Sequence, residues 1–178
     1  MYFGTLNLYC YALFKTHFLF CWTAICNWIY SSRFFKSTHS KFSFELNQEE
    51  TAEARYSQPK QYLYEPNAAV MKSGAFQLIS EKFKLNKLDT HTHLYTSDER
   101  LENFPGKIYE ISNAHPYQKK PLKKMIGGLK ANVKTRNFSE KIETLKKLFK
   151  LNDGGDLYLF FTTSKNKKLV IECRLATF

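Results

Sequence analysis

Paired cysteines are missing from this 178-residue chain: Cys10, Cys21, Cys26 and Cys173 form no C-x-x-C motif. With no second pair downstream the spacing speaks against a zinc knuckle, and the thiols read as reduced ones of a cytoplasmic protein. Acid is scarce as well, with 16 Asp and Glu against 27 Lys and Arg, a formal charge of +11. Residues 1–36 contain no Asp or Glu at all. A long apolar run is also absent. The best candidate, residues 18–30, is 13 residues long and includes Asn27, whereas a spanning helix needs about 20. Extending it backwards takes in Lys15 and His17. Residues 1–6 lack the positive charge that opens a secretory signal. The seven glycines never form G-x-G, which removes the turn that lets backbone amides approach a nucleotide-type cofactor.

What is present falls unevenly. The length suits one domain or two small ones and can bury a core, to which Phe and Tyr contribute much. From residue 107 onward 16 Lys and Arg face 6 Asp and Glu, while residues 1–106 carry 11 against 10. A positive field confined to one part of a chain points to a polyanion-binding face more than to general solubility. Composition also shifts abruptly near Ser37, so residues 1–36 read as an extension foreign to the fold that follows. A membrane tether through residues 6–30 is the rival reading of that stretch.

From residue 41 the register is that of an ordinary soluble protein. "KFSFEL" alternates as a strand does, and "NQEETAEARYSQPK" is a second strand or a surface loop. "YLYEPNAAVMKSGAFQLISEKFKL" predicts one helix starting at Pro66 or Asn67, with Gly74 marking close packing against a neighbour. "THTHLYTS" predicts a short strand, "NFPGK" a turn and "KIYEIS" a strand. Pro121 fits the first turn of a short helix closed by Gly127-Gly128. "KANVKTR" is the next strand. Asn137 or Ser139 is expected to cap the following helix, with Glu140 completing a capping box. Gly154-Gly155 breaks the chain before a hairpin whose loop lies near residues 164–167. The order β-α-β-α-β-β implies helices on a mixed sheet, an α/β or α+β sandwich.

At "YLYEPNAAVMKSGAF", "HLYTSDE", "ENFPGKIYEI", "KANVKTRNF" and "GGDLYLFFTT" the chain resembles the C-terminal part of a bacterial family of class I S-adenosylmethionine-dependent methyltransferases. In that family a ferredoxin-like segment precedes a THUMP-like domain. The resemblance covers roughly residues 42–176 and implies a ferredoxin-like segment over 41–96 and a THUMP-like domain over 97–178. THUMP domains proper are RNA-binding modules of tRNA- and rRNA-modifying enzymes, so structured RNA is the implied partner. The departure is equally informative. Neither G-x-G nor an Asn-Pro-Pro-Tyr or Asp-Pro-Pro-Tyr motif occurs, so the catalytic domain is expected to be absent, with no cofactor bound by this chain and no catalytic residue in it. A separate methyltransferase catalytic domain is then the natural partner. The alternative is the remnant of a truncated gene with no present function.

The candidate RNA contacts are Lys119, Lys120, Lys123, Lys124, Lys130, Lys134, Arg136, Lys146 and Lys147. Phosphate contacts from such a set would be independent of sequence and sensitive to salt; a solvated helix face is the competing reading. Tyr62, Tyr64, Tyr95 and Tyr117 offer rings for base stacking, although aromatics at β-like positions more often pack in cores. His91 and His93 alternate as on one strand face, but no third ligand suggests a metal. Asp98, Glu99 and Glu102 read as a Ser97-capped turn, and Cys173 as a buried small hydrophobe.

Overall fold

A computed structural model describes residues 28–33 and 40–177. Most of the aromatic-rich stretch 1–36, including residues 18–27 of the expected apolar run, lies outside the described residues. β1 (Trp28–Arg33) and β2 (Ser40–Glu45) pair antiparallel as a separate ribbon. α1 (Leu46–Thr51) and β3 (Arg55–Tyr56) then divide the polar stretch that the sequence left open between strand and loop.

β4 (Tyr62–Pro66) is buried along nearly its whole length and runs into α2 (Ala68–Ser73). The Asn67 side chain caps α2 by accepting from the amides of Ala69 and Val70 at 2.9 and 3.0 Å, which satisfies two of the helix's orphan donors. The single helix expected here is two. Gly74 takes φ +77° and ends α2, and α3 (Phe76–Lys82) begins afresh. A Cβ at Gly74 would meet nothing within 4 Å, so this glycine marks a left-handed break and not a close contact. Glu49 on α1 receives the amides of Gln77 and Leu78, both at 2.8 Å, and thereby restarts the chain as α3.

β5 (Asn86–Lys87) and β6 (Tyr95–Ser97) follow, then the long β7 (Gly106–Pro116). The expected strand at "THTHLYTS" forms only in its second half, so His91 and His93 share no strand face. Ser97 Oγ accepts from the Glu99 amide at 3.1 Å, as a turn cap would. α4 (Lys119–Ile126), β8 (Asn132–Arg136), α5 (Ile142–Phe149), β9 (Leu157–Ser164) and β10 (Lys167–Leu175) complete the expected β-α-β-α-β-β order. Lys165 and Asn166 both take positive φ in the tight hairpin turn, the geometry that matches strand twist. The capping box at α5 does not form. Asn137 has φ +51°, Ser139 Oγ donates to Glu140 instead, and Lys141 occupies the cap position with no side-chain bond.

Eight of the described strands form one mixed sheet in the order β3-β5-β6-β4-β7-β10-β9-β8. Alternation along the strands sorts its core into two faces. Tyr64, Tyr95 and Ile108 point towards α2 and α3, and Phe161 and Val170 point towards Leu122 and Ile126 of α4 and Leu145 and Phe149 of α5. Those helices therefore line one side. The other side carries Leu63, Tyr109, Phe160, Ile171 and Cys173, covered by Leu88 and Leu94 from the loop between β5 and β6. That loop is fastened to the β9-β10 hairpin: Thr92 Oγ1 donates to the Thr163 carbonyl at 2.8 Å, and the Lys165 amide donates to Leu88 at 3.3 Å.

Candidate nucleic-acid interface

α4 is held to the sheet by Leu122 and Ile126, both essentially fully buried. With those two facing inward, Lys119, Lys120, Lys123 and Lys124 fall on one exposed flank, where residues three and four apart are neighbours. No acid lies in the first turn of α4. Lys119 and Lys120 there oppose the helix dipole, and like charges at these spacings cost about 0.2–0.5 kcal/mol per pair. The stripe thus works against its own helix, and a bound polyanion would relieve it.

The loop that follows brings Lys130 alongside. Lys130 bridges to Asn152, and the amides of Gly128 and Asn152 reach the carbonyls of Phe149 and Leu129 at 3.1 and 2.9 Å, tying the exits of α4 and α5 together. Gly154 and Gly155 leave room for the Lys130 stem: a Cβ on Gly154 would sit 3.1 Å from Lys130 Cε. Lys147 is exposed on α5. Lys146, by contrast, pairs with Asp153 at 2.6 Å. Lys119, Lys120, Lys123, Lys124, Lys130 and Lys147 have no acidic partner among the described residues.

Lys134 and Arg136 lie on the opposite face of the sheet. Both bind Glu65, a carboxylate with only 8% of its side chain exposed: Lys134 Nζ contacts Oε2, and the Arg136 guanidinium contacts Oε1 at 2.8 Å. Tyr109 Oη donates to the same carboxylate at 2.9 Å and accepts from Lys134 at 2.9 Å. Burial and the adjacent Glu65 push the Tyr109 hydroxyl upward, so it stays a donor. The Lys134 ammonium lies 5.4, 5.8 and 5.3 Å from the ring centres of Tyr109, Tyr158 and Phe160, within cation–π range. Glu65 is on β4 and Lys134 on β8, four strand steps apart. On a flat sheet that separation would be about 19 Å, further than the two side chains reach together. The sheet is therefore coiled, with helices outside and the Glu65 network within the curve. The nine predicted cations accordingly divide into six unpaired outer ones, Lys146 in a surface pair, and two inner ones neutralised in part by Glu65.

The tyrosines are mostly structural. Tyr64 and Tyr95 are fully buried, and their hydroxyls donate to the carbonyls of Glu99 and Phe76 at 2.8 and 2.7 Å. Tyr117 packs edge-on to Phe138, 5.0 Å between centroids. His93 stacks on Phe76 at 3.7 Å, and burial with the nearby Lys87 lowers it to about 4. Burial pushes the Cys173 thiol up to about 12, so it is a poor nucleophile. No group of three His, Cys, Asp or Glu able to hold a metal occurs among the described residues, nor any helix long and apolar enough to cross a membrane. Sequence reasoning missed Glu65; its only signal was an acid amid the apolar residues of a strand.

A crystal structure of a candidate methyltransferase from Porphyromonas gingivalis W83 matches with a TM-score of 0.78 and 29% identity, over 83% of this chain and 38% of that one. This chain thus spans well under half of that protein. No curated protein sequence matches. Residues 62–105 match the family model of a ferredoxin-like domain and residues 106–175 that of a THUMP domain-like family, so the chain consists in large part of a ferredoxin-like domain joined to a THUMP-like domain.

Proposed function

We propose that this chain is an RNA-binding accessory portion of a tRNA or rRNA methyltransferase, and that methyl transfer takes place outside the described residues. The observation that carries the reading is the unpaired lysine stripe of α4, continued by Lys130 and Lys147, on a THUMP-like domain. The candidate methyltransferase from P. gingivalis supports the enzymatic context. Contacts of this kind grip phosphates and ribose hydroxyls and read the shape of folded RNA, not its base edges.

On this reading the methyl donor is held elsewhere. β8 and β9 pair in parallel around α5, but the chain enters α5 through Asn137 to Lys141, with no glycine to let amides approach a cofactor. The role proposed for these residues is to bind and orient RNA for chemistry carried by another domain.

The test is binding of a tRNA-sized RNA across a salt series. The full chain should bind at low salt, with log affinity falling linearly in log salt. Charge reversal at Lys120, Lys123 and Lys124 should weaken binding and flatten the slope by about 0.7–0.9 for each phosphate no longer neutralised. Absence of binding, or binding indifferent to salt, refutes the reading.

A further inference from the structure

A groove of about 510 Å³ opens beside the Glu65 network, where the end of β4 and α2 meet the start of β7 and the end of β8. Its lining includes Lys72, Lys107 and Arg136 together with Glu65, Asn67 and Met71. A larger depression of about 700 Å³ beside α3 has balanced charge, with Glu53 and Glu81 facing Arg55 and Lys84. The Glu65 groove is not balanced. Lys107 stands directly across from Glu65 in the β4-β7 register, and with Lys72 and Arg136 it makes three cations that share the groove with this single carboxylate.

Neither Lys72 nor Lys107 has an acidic partner among the described residues. Arg136 is held by one edge only. One terminal nitrogen binds Glu65 at 2.8 Å, the other makes a long 3.4 Å contact to its neighbour's carbonyl, and the buried Nε has no partner. An enclosed guanidinium N–H without an acceptor is uncommon, and here it belongs to a cation lining an open groove. Glu65 anchors the guanidinium through one terminal nitrogen, a step towards the preorganisation that anion sites require. Asn67 is already committed to capping α2 and adds no competing charge.

We propose that this groove is a phosphate-binding site, in which Lys72, Lys107 and Arg136 receive one phosphate group while Glu65 positions Arg136. The phosphate is either a phosphodiester of bound RNA or a free phosphate. The first source rests on the RNA reading above; the site itself does not.

The experiment is an NMR titration of the full chain with inorganic phosphate, beside RNA-binding isotherms, for the parent, Lys72→Glu/Lys107→Glu and Lys123→Glu/Lys124→Glu. Circular dichroism and unfolding midpoints confirm that the variants fold. Phosphate should shift saturably the amides around Glu65, Lys72, Lys107 and Arg136. The groove double variant should weaken phosphate at least tenfold and the α4 variant leave it unchanged. If the groove variant also weakens RNA at least fivefold, the phosphodiester is the source; if RNA is unaffected while phosphate binding is lost, a free phosphate is. Failure of phosphate to shift the groove amides, with RNA affinity unchanged in the groove variant, overturns the proposal. Loss of RNA binding confined to the α4 variant would sustain the RNA reading even then.

Discussion

Replacing Glu65 by Gln tests how strongly the two sides of the coiled sheet are held together. The carboxylate is 8% exposed, and the Lys134 and Arg136 side chains are 26% and 39% exposed. Removing one member of a buried ion pair costs about 3–5 kcal/mol, because the remaining charge stays desolvated. Arg136 is open enough for water to screen much of its share, towards the 0–1 kcal/mol typical of a surface pair. Lys134 is not. Its ammonium stays among the rings of Tyr109, Tyr158 and Phe160, so the expected net loss is about 2–4 kcal/mol. In urea unfolding followed by circular dichroism, a slope of about 2 kcal/mol/M would lower the midpoint by about 1–2 M. Adding Lys134→Met should restore at least half of the loss, since replacing a whole buried pair with apolar groups is close to neutral. A loss below about 1 kcal/mol for Glu65→Gln would place the network with surface pairs and refute the reasoning.

The pH dependence of stability should carry the mark of His93. Its folded value of about 4 lies below the ordinary 6.5, so the unfolded chain binds the extra proton in that window and stability falls as pH drops from 6.5 towards 4. His93→Phe, which keeps a ring against Phe76, should flatten the slope between urea midpoints at pH 4.5 and 7, and an unchanged slope would show that His93 is not its source. The Cys173 thiol, fully buried and pushed up to about 12, should resist a thiol-reactive reagent in the native protein and react once the chain is unfolded in urea; rapid native labelling would contradict its burial. Phe161→Ala, which empties the space among Tyr117, Phe138 and Phe149, should cost about 3–5 kcal/mol by the same unfolding assay; a loss under about 1 kcal/mol would mean that the site is not packed as described.

Sequence periodicity served well where structure is local. The β9-β10 hairpin, α4 ending at its glycine pair, and the β-α-β-α-β-β order all rest on neighbours within a few residues. It failed where a backbone choice overrode the pattern. Gly74 carries an apolar spacing that continues straight through it, yet its positive φ splits one helix into two. Asn137 carries a cap signal, yet sits in the left-handed region and leaves the cap position of α5 to Lys141. The lysines of α4 were legible as a group because helix spacing fixes their flank. Lys134 and Arg136 share the composition of that group but not its position. Their acceptor is 69 residues away from Lys134 in the chain and comes within reach only through sheet coiling, a property that no short window of sequence records.

The loop between β5 and β6 carries a practical lesson about dividing this protein. Family similarity draws a line between residues 105 and 106, but Leu88 and Leu94, from the near side of that line, roof the apolar surface of Phe160, Leu169 and Ile171 on the far side. A recombinant piece beginning at 106 would leave that surface wet and prone to self-association. The boundary describes ancestry, not a seam along which the molecule can be taken apart, and work on either half is best done with both present.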